Sequence, residues 1–201
     1  MTIMGDSMEN GLLFFYFFWI FWIIITFFMP KSRKRTVFAV FILLSLCFAN
    51  IYINVSIQVS FTYLILLFGV ILLQTKQPGI LYHFICTFTI SIGYAALLLW
   101  ESNTTIWLFT SREILIPSTI VCISHFITYG FYNRLICALF GLCIGELIFK
   151  SILYFFSFKQ TIGDMEFLDI VSVTIMVNVF IALCVFINNR IRTSITQMTY
   201  K

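Results

Sequence analysis

Residues 11–35 read GLLFFYFFWIFWIIITFFMPKSRKR: nineteen residues without a charge, a proline, and then Lys31, Arg33, Lys34 and Arg35 within five positions. About 20 apolar residues form a helix long enough for the ~30 Å hydrocarbon core of a bilayer. Cations that directly follow such a run stay on the cytoplasmic side. The residues before the run are acidic, Asp6 and Glu9. A secretory signal peptide has the opposite order, with basic residues ahead of its apolar core and small residues behind it. The run therefore predicts a retained first span whose N-terminus lies outside. Met8 serves as well as Met1 for a start, since residues 1–7 add nothing that this span needs.

The same alternation continues along the chain. Of its 12 Lys and Arg residues, Lys31, Arg33, Lys34, Arg35, Lys76, Arg134, Arg190, Arg192 and Lys201 follow alternate apolar runs. Of its 8 acids, Asp6, Glu9, Glu101, Glu113, Asp164 and Glu166 fall before the first run or in the other connections. Sorting of this kind has a purpose only across a membrane. Composition agrees: 61% of the chain is apolar and 10% charged, against ~45–50% and ~25% in soluble proteins.

The sequence thus predicts an all-α, polytopic transmembrane helical bundle with its N-terminus outside and C-terminus inside. One transmembrane domain covers 1–201, with seven spans at about 11–29, 36–53, 57–73, 80–100, 114–129, 135–158 and 167–187. Seven crossings suit every connecting charge except Arg112 and Lys159. Between the fourth and fifth spans, Ile106, Trp107, Leu108 and Phe109 predict a short helix lying in the interface. Pro117 is expected in the first turn of the fifth span, where a missing N–H costs least. With so much of the chain inside the bilayer, no soluble catalytic domain fits.

Few polar residues are left to build a site. Glu146 and Lys150 lie four apart within the sixth apolar run, hence on one helix face. Each charge alone costs roughly 2.5–3.5 kcal/mol at the bilayer centre on insertion scales. Two readings follow: a gated proton or ion site (or a latch between spans), and a self-neutralised pair with no further task. Asp169, near the start of the seventh span, either joins that pair across helices or sits hydrated at a helix N-terminus, which favours an acid. Gly141 and Gly145, with Ala138, give the sixth span a small-residue face for close helix packing. Asn50 and Asn178 suggest hydrogen bonds between helices.

The remaining motifs are bland. His83 and His125 lack a carboxylate on their side and make a poor metal site. The six cysteines, Cys47, Cys86, Cys122, Cys137, Cys143 and Cys184, sit inside apolar runs without metal-ligand spacing. No metal, cofactor, disulfide or catalytic group is expected. Asn54-Val55-Ser56 and Asn103-Thr104-Thr105 fit the glycosylation triplet, a pattern short enough to arise by chance. The net charge of +4 does not indicate nucleic acid, because Lys31, Arg33, Lys34 and Arg35 form a patch at a span end. That position suits anionic lipid headgroups, with about 1 kcal/mol per cation.

The stretch Met8-Glu9-Asn10-Gly11-Leu12-Leu13-Phe14-Phe15-Tyr16-Phe17-Phe18-Trp19-Ile20-Phe21-Trp22, the basic turn after it and the overall length resemble the YphA-type membrane proteins of spore-forming bacilli. The resemblance implies a multi-pass protein of the bacterial cytoplasmic membrane and assigns no reaction. In a bacterium the two triplets stay unglycosylated. The expected role is a non-enzymatic one in membrane interaction or organisation, in the sporulation envelope by that resemblance. Its expected partners are lipid, another copy of itself or another membrane protein. The alternative is a small solute or ion transporter with Glu146 and Lys150 lining a polar pathway.

Overall fold

The computed structural model describes residues 11–54, 58–77, 79–103, 112–156 and 160–199. Among them are seven helices: α1 (Leu12–Phe28), α2 (Arg33–Cys47), α3 (Phe61–Gln74), α4 (Ile80–Asn103), α5 (Arg112–Ile127), α6 (Phe131–Phe155) and α7 (Met165–Thr199). The helix is the local answer to an apolar run in lipid, where each backbone N–H and C=O must find a partner within its own segment. Two short strands, β1 (Tyr52–Asn54) and β2 (Gln58–Ser60), separate α2 from α3. The expected interfacial helix at 106–109 lies outside the described residues.

The helices differ in length. Leu81–Ser102 of α4, all of α6 and Met165–Arg192 of α7 are long and apolar enough to cross a membrane. Leu12–Phe28, Arg35–Cys47 and Phe61–Gln74 are apolar but shorter. At 1.5 Å per residue, the 14 residues of α3 reach only about 21 Å. The 35 residues of α7 reach about 52 Å, well beyond one hydrocarbon core.

Several boundaries depart from the expected spans. The second was expected to run to 53, yet α2 ends at Cys47, and Asn50 lies exposed in the turn after it, so it bridges no helices. Ile51-Tyr52-Ile53 are apolar enough to pass for helix, but as β-branched and aromatic residues they suit a strand. They enter an antiparallel hairpin in which Tyr52 faces Ser60, Ile53 faces Val59 and Asn54 faces Gln58. The third helix accordingly starts at Phe61, not near 57.

The seventh was expected to end at 187. Instead α7 continues through Asn188, Asn189 and Arg190 to Thr199, because no Pro or Gly interrupts it. Glu101 and Glu113, expected in a loop, belong to α4 and α5. Pro117 consequently sits in the second turn of α5, where Ser118 and Thr119 hydroxyls donate to the Ile114 and Leu115 carbonyls around it.

The core is apolar, yet large apolar side chains also cover the outside and many small polar ones are buried. Phe28, Leu81, Phe126 and Phe155 point outward, while Ser45, Thr62, Ser91, Ser124, Ser172 and Thr174 are buried. Lipid tails are as apolar as Leu, so small side chains and hydrogen bonds make the helix contacts. The Thr62 hydroxyl donates to the Ser45 carbonyl of α2 across 3.1 Å. Asn178 is buried but donates within α7, to the Thr174 carbonyl, rather than between helices.

The α4–α6 contact is the most extensive in the bundle, and Gly141 and Gly145 explain it. A Cβ on Gly141 would lie 2.5 Å from Ile90 Cγ2, and one on Gly145 would lie 2.8 Å from the Ser91 carbonyl oxygen. Only hydrogen fits at either place.

Candidate functional site

The polar residues gather where α6 ends and α7 begins. Glu146 and Lys150 occupy one face of α6, with Lys150 Nζ 3.7 Å from Glu146 Oε1. They are 2% and 8% exposed, so both charges lie inside the packing. The close approach permitted by Gly145 brings Tyr94 of α4 alongside, and its hydroxyl donates to Glu146 Oε2 at 3.0 Å.

Lys150 is shared. Its ammonium donates to Asp164 Oδ2 at 2.8 Å and to Gln160 Oε1 at 3.0 Å, both on the connection between α6 and α7. The other oxygen of Asp164, Oδ1, accepts the Phe167 N–H at 3.0 Å and caps α7. One carboxylate thus holds the lysine and starts the next helix. Burial, then the nearby Asp164 carboxylate, holds the Tyr52 hydroxyl above its ordinary range.

The same connection is fastened to the hairpin. Ser60 N–H donates to the Ile162 carbonyl at 2.9 Å, and Ile162 N–H donates to the Gln58 carbonyl at 2.8 Å. Ile162 is in effect a third strand beside β2, in parallel. Gly163 follows with φ +71°, and a Cβ there would come within 2.3 Å of Tyr63 Cβ. Glycine is required on both counts. Tyr63 is fixed in turn by donating to the Cys143 carbonyl of α6 at 2.8 Å.

A second ionic group lies at this end. Arg112, the first residue of α5, meets Glu101 of α4 at 3.1 Å and Glu166 of α7 at 2.5 Å. Arg112 had counted against the charge rule as an isolated cation. Here it is paired with two acids; Lys159, the other exception, lies outside the described residues.

Asp169 does not join Glu146 and Lys150, and it is not hydrated. It is 1% exposed and turned toward the start of α1. Gly11 N–H donates to its Oδ2 at 2.6 Å and Phe14 N–H to its Oδ1 at 2.7 Å. A buried acid from α7 therefore caps α1, favoured by the positive end of that helix.

Lys31 and Arg33 are exposed, while Arg35 reaches back to the Thr26 and Met29 carbonyls at 3.4 and 3.5 Å. Lys34 lies in α2; the position of its side chain is outside the described residues. His83 is buried with its Nδ1 3.4 Å from Cys137 Sγ, and His125 is exposed. Among the described residues no three His, Cys, Asp or Glu side chains converge on a metal position. All six cysteines are free thiols.

Tyr94, Gln160 and Asp164 escaped the sequence reading as members of this group. The one clue was Asp164 itself: an acid directly after Gly163 and three residues before Phe167 fits a helix N-cap.

What this arrangement does chemically is to tie elements together. One ammonium and two carboxylates join α6 to the α6–α7 connection, and through it to the hairpin and to α7. A family model described as YphA-like integral membrane protein matches residues 10–201, so the chain belongs to that family and is an integral membrane protein. No curated protein and no solved structure matches the chain.

Proposed function

We propose that this YphA-like integral membrane protein crosses the cell membrane seven times, with its N-terminus outside and C-terminus inside. In this reading it is not an enzyme, and it acts in membrane interaction or organisation. The alternation of basic and acidic connections supports the orientation. The basic cluster after α1, with Arg134, Arg190 and Arg192, would then face the anionic headgroups of the inner leaflet. Another copy or another membrane protein would bind within the bilayer or on that basic face.

The observation that carries the non-transport reading is the burial of Glu146 and Lys150 in a packed contact between helices. The pair is a latch. In proteoliposomes, Glu146→Gln and Lys150→Met should leave proton and solute flux at the level of the wild-type protein. Lys150→Met should also lower thermal stability in detergent by about 1–3 kcal/mol, since it leaves the half-buried Asp164 without the cation it is hydrogen-bonded to. Lost flux in either variant, with assembly intact, would overturn the proposal in favour of a transporter.

A further inference from the structure

We propose that the Glu146 carboxyl is a proton-binding site, kept separate from its neighbouring ammonium by Asp164. Three charged groups meet here, two acids and one cation, so one acid lacks a full counter-charge. The distances say which. Lys150 Nζ is hydrogen-bonded to Asp164 at 2.8 Å but stands 3.7 Å from Glu146, beyond hydrogen-bond reach. By distance alone the Asp164 attraction is about 1.3 times the stronger.

Glu146 is also the more deeply buried acid, with a 2% exposed side chain against 31% for Asp164. Its Oε2 accepts from the neutral Tyr94 hydroxyl at 3.0 Å, and the other donor facing the carboxyl is the backbone N–H of Gly163, also neutral. An ionised carboxylate in that position keeps almost none of its hydration.

Among the described residues, the groups that face it from each packed element include no cation besides Lys150. They are Tyr94 on α4, Tyr63 on α3, Cys143 with Lys150 on α6, and Asp164 on the connection. Arg112 on α5 acts on Tyr94 only at a distance and is engaged by Glu101 and Glu166. With a proton on Oε2, the hydrogen bond to Tyr94 reverses and Glu146 donates. The carbonyl-like Oε1 then faces the ammonium. The proton comes from water past Asp164, the more exposed acid, and no covalent bond other than O–H forms or breaks.

The inference shares the Lys150–Asp164 contact with the latch, but its readout is vibrational rather than a measure of assembly or flux. Infrared spectra of the full chain in liposomes at neutral pH should contain a protonated-carboxyl C=O band. That band should shift when glutamate alone carries a 13C carboxyl, and it should vanish in Glu146→Gln. In Asp164→Asn the ammonium is released to Glu146, and the band at neutral pH should weaken or disappear. The isotope experiment uses unmutated protein, so a folding defect cannot obscure it. Absence of a glutamate-shifted band at neutral pH would overturn the proposal. An Asp164→Asn band of undiminished intensity at neutral pH would do the same.

Discussion

Lys150 has a carboxylate four residues behind it and another fourteen residues ahead, and its hydrogen bond goes to the second. Helix periodicity makes the first neighbour obvious, but it does not set which acid comes closer. Asp169 makes the same point, since its carboxylate acts on a helix more than 150 residues away in sequence. Asp169→Ala should strand the Gly11 and Phe14 N–H groups and cost about 2–3 kcal/mol. Asp169→Asn should cost less, because it keeps one acceptor oxygen. Thermal melting would rank the two, and hydrogen exchange should locate the faster amides in the first turn of α1. Unchanged exchange there in Asp169→Ala would rule out the capping role.

Between elements, the decisive feature is the glycine face of α6 against α4. Gly145 does two things at once: it brings the helices together, and it seats Tyr94 so that its hydroxyl meets Glu146. Gly145→Leu should force α4 away and destabilise the protein by about 1–3 kcal/mol, the usual range for overpacking. Gly93→Ala provides the control, since its Cβ would find only Ile123 Cδ1, at 3.5 Å. Its melting temperature should equal or exceed that of the wild-type protein. Equal melting of Gly145→Leu and the wild type would mean that the α4–α6 contact is not close-packed in the membrane.

At the scale of the whole molecule, the hairpin, Asp164, the start of α1 and the Arg112 group all lie near the same end as the α6–α7 connection. Lys31, Arg33, Lys34, Arg35, Lys76 and Arg134 lie in or beside the other connections, and Arg190 and Arg192 lie on the final stretch of α7. In the proposed orientation the first end is outside. In a cysteine-free background, Ile53→Cys should react with a membrane-impermeant maleimide on intact cells. Lys76→Cys should react only after permeabilisation. Labelling of Arg190→Cys from outside would reverse the orientation or change the number of crossings.

Membrane residence and the glycine face of α6 could be read from the chain alone, because both depend on neighbours within one helix. In lipid a helix satisfies its own backbone, so apolar length and the 3.6-residue period carry most of what is needed. Those same rules misread the stretch after Cys47, where β1 pairs with β2 and β2 hydrogen-bonds to Ile162, a residue about a hundred positions later. Which acid holds Lys150, which helix Asp169 caps and what neutralises Arg112 were decided by the tertiary structure. Each depends on groups brought within 2.5–3.7 Å of one another, and only packing sets those distances.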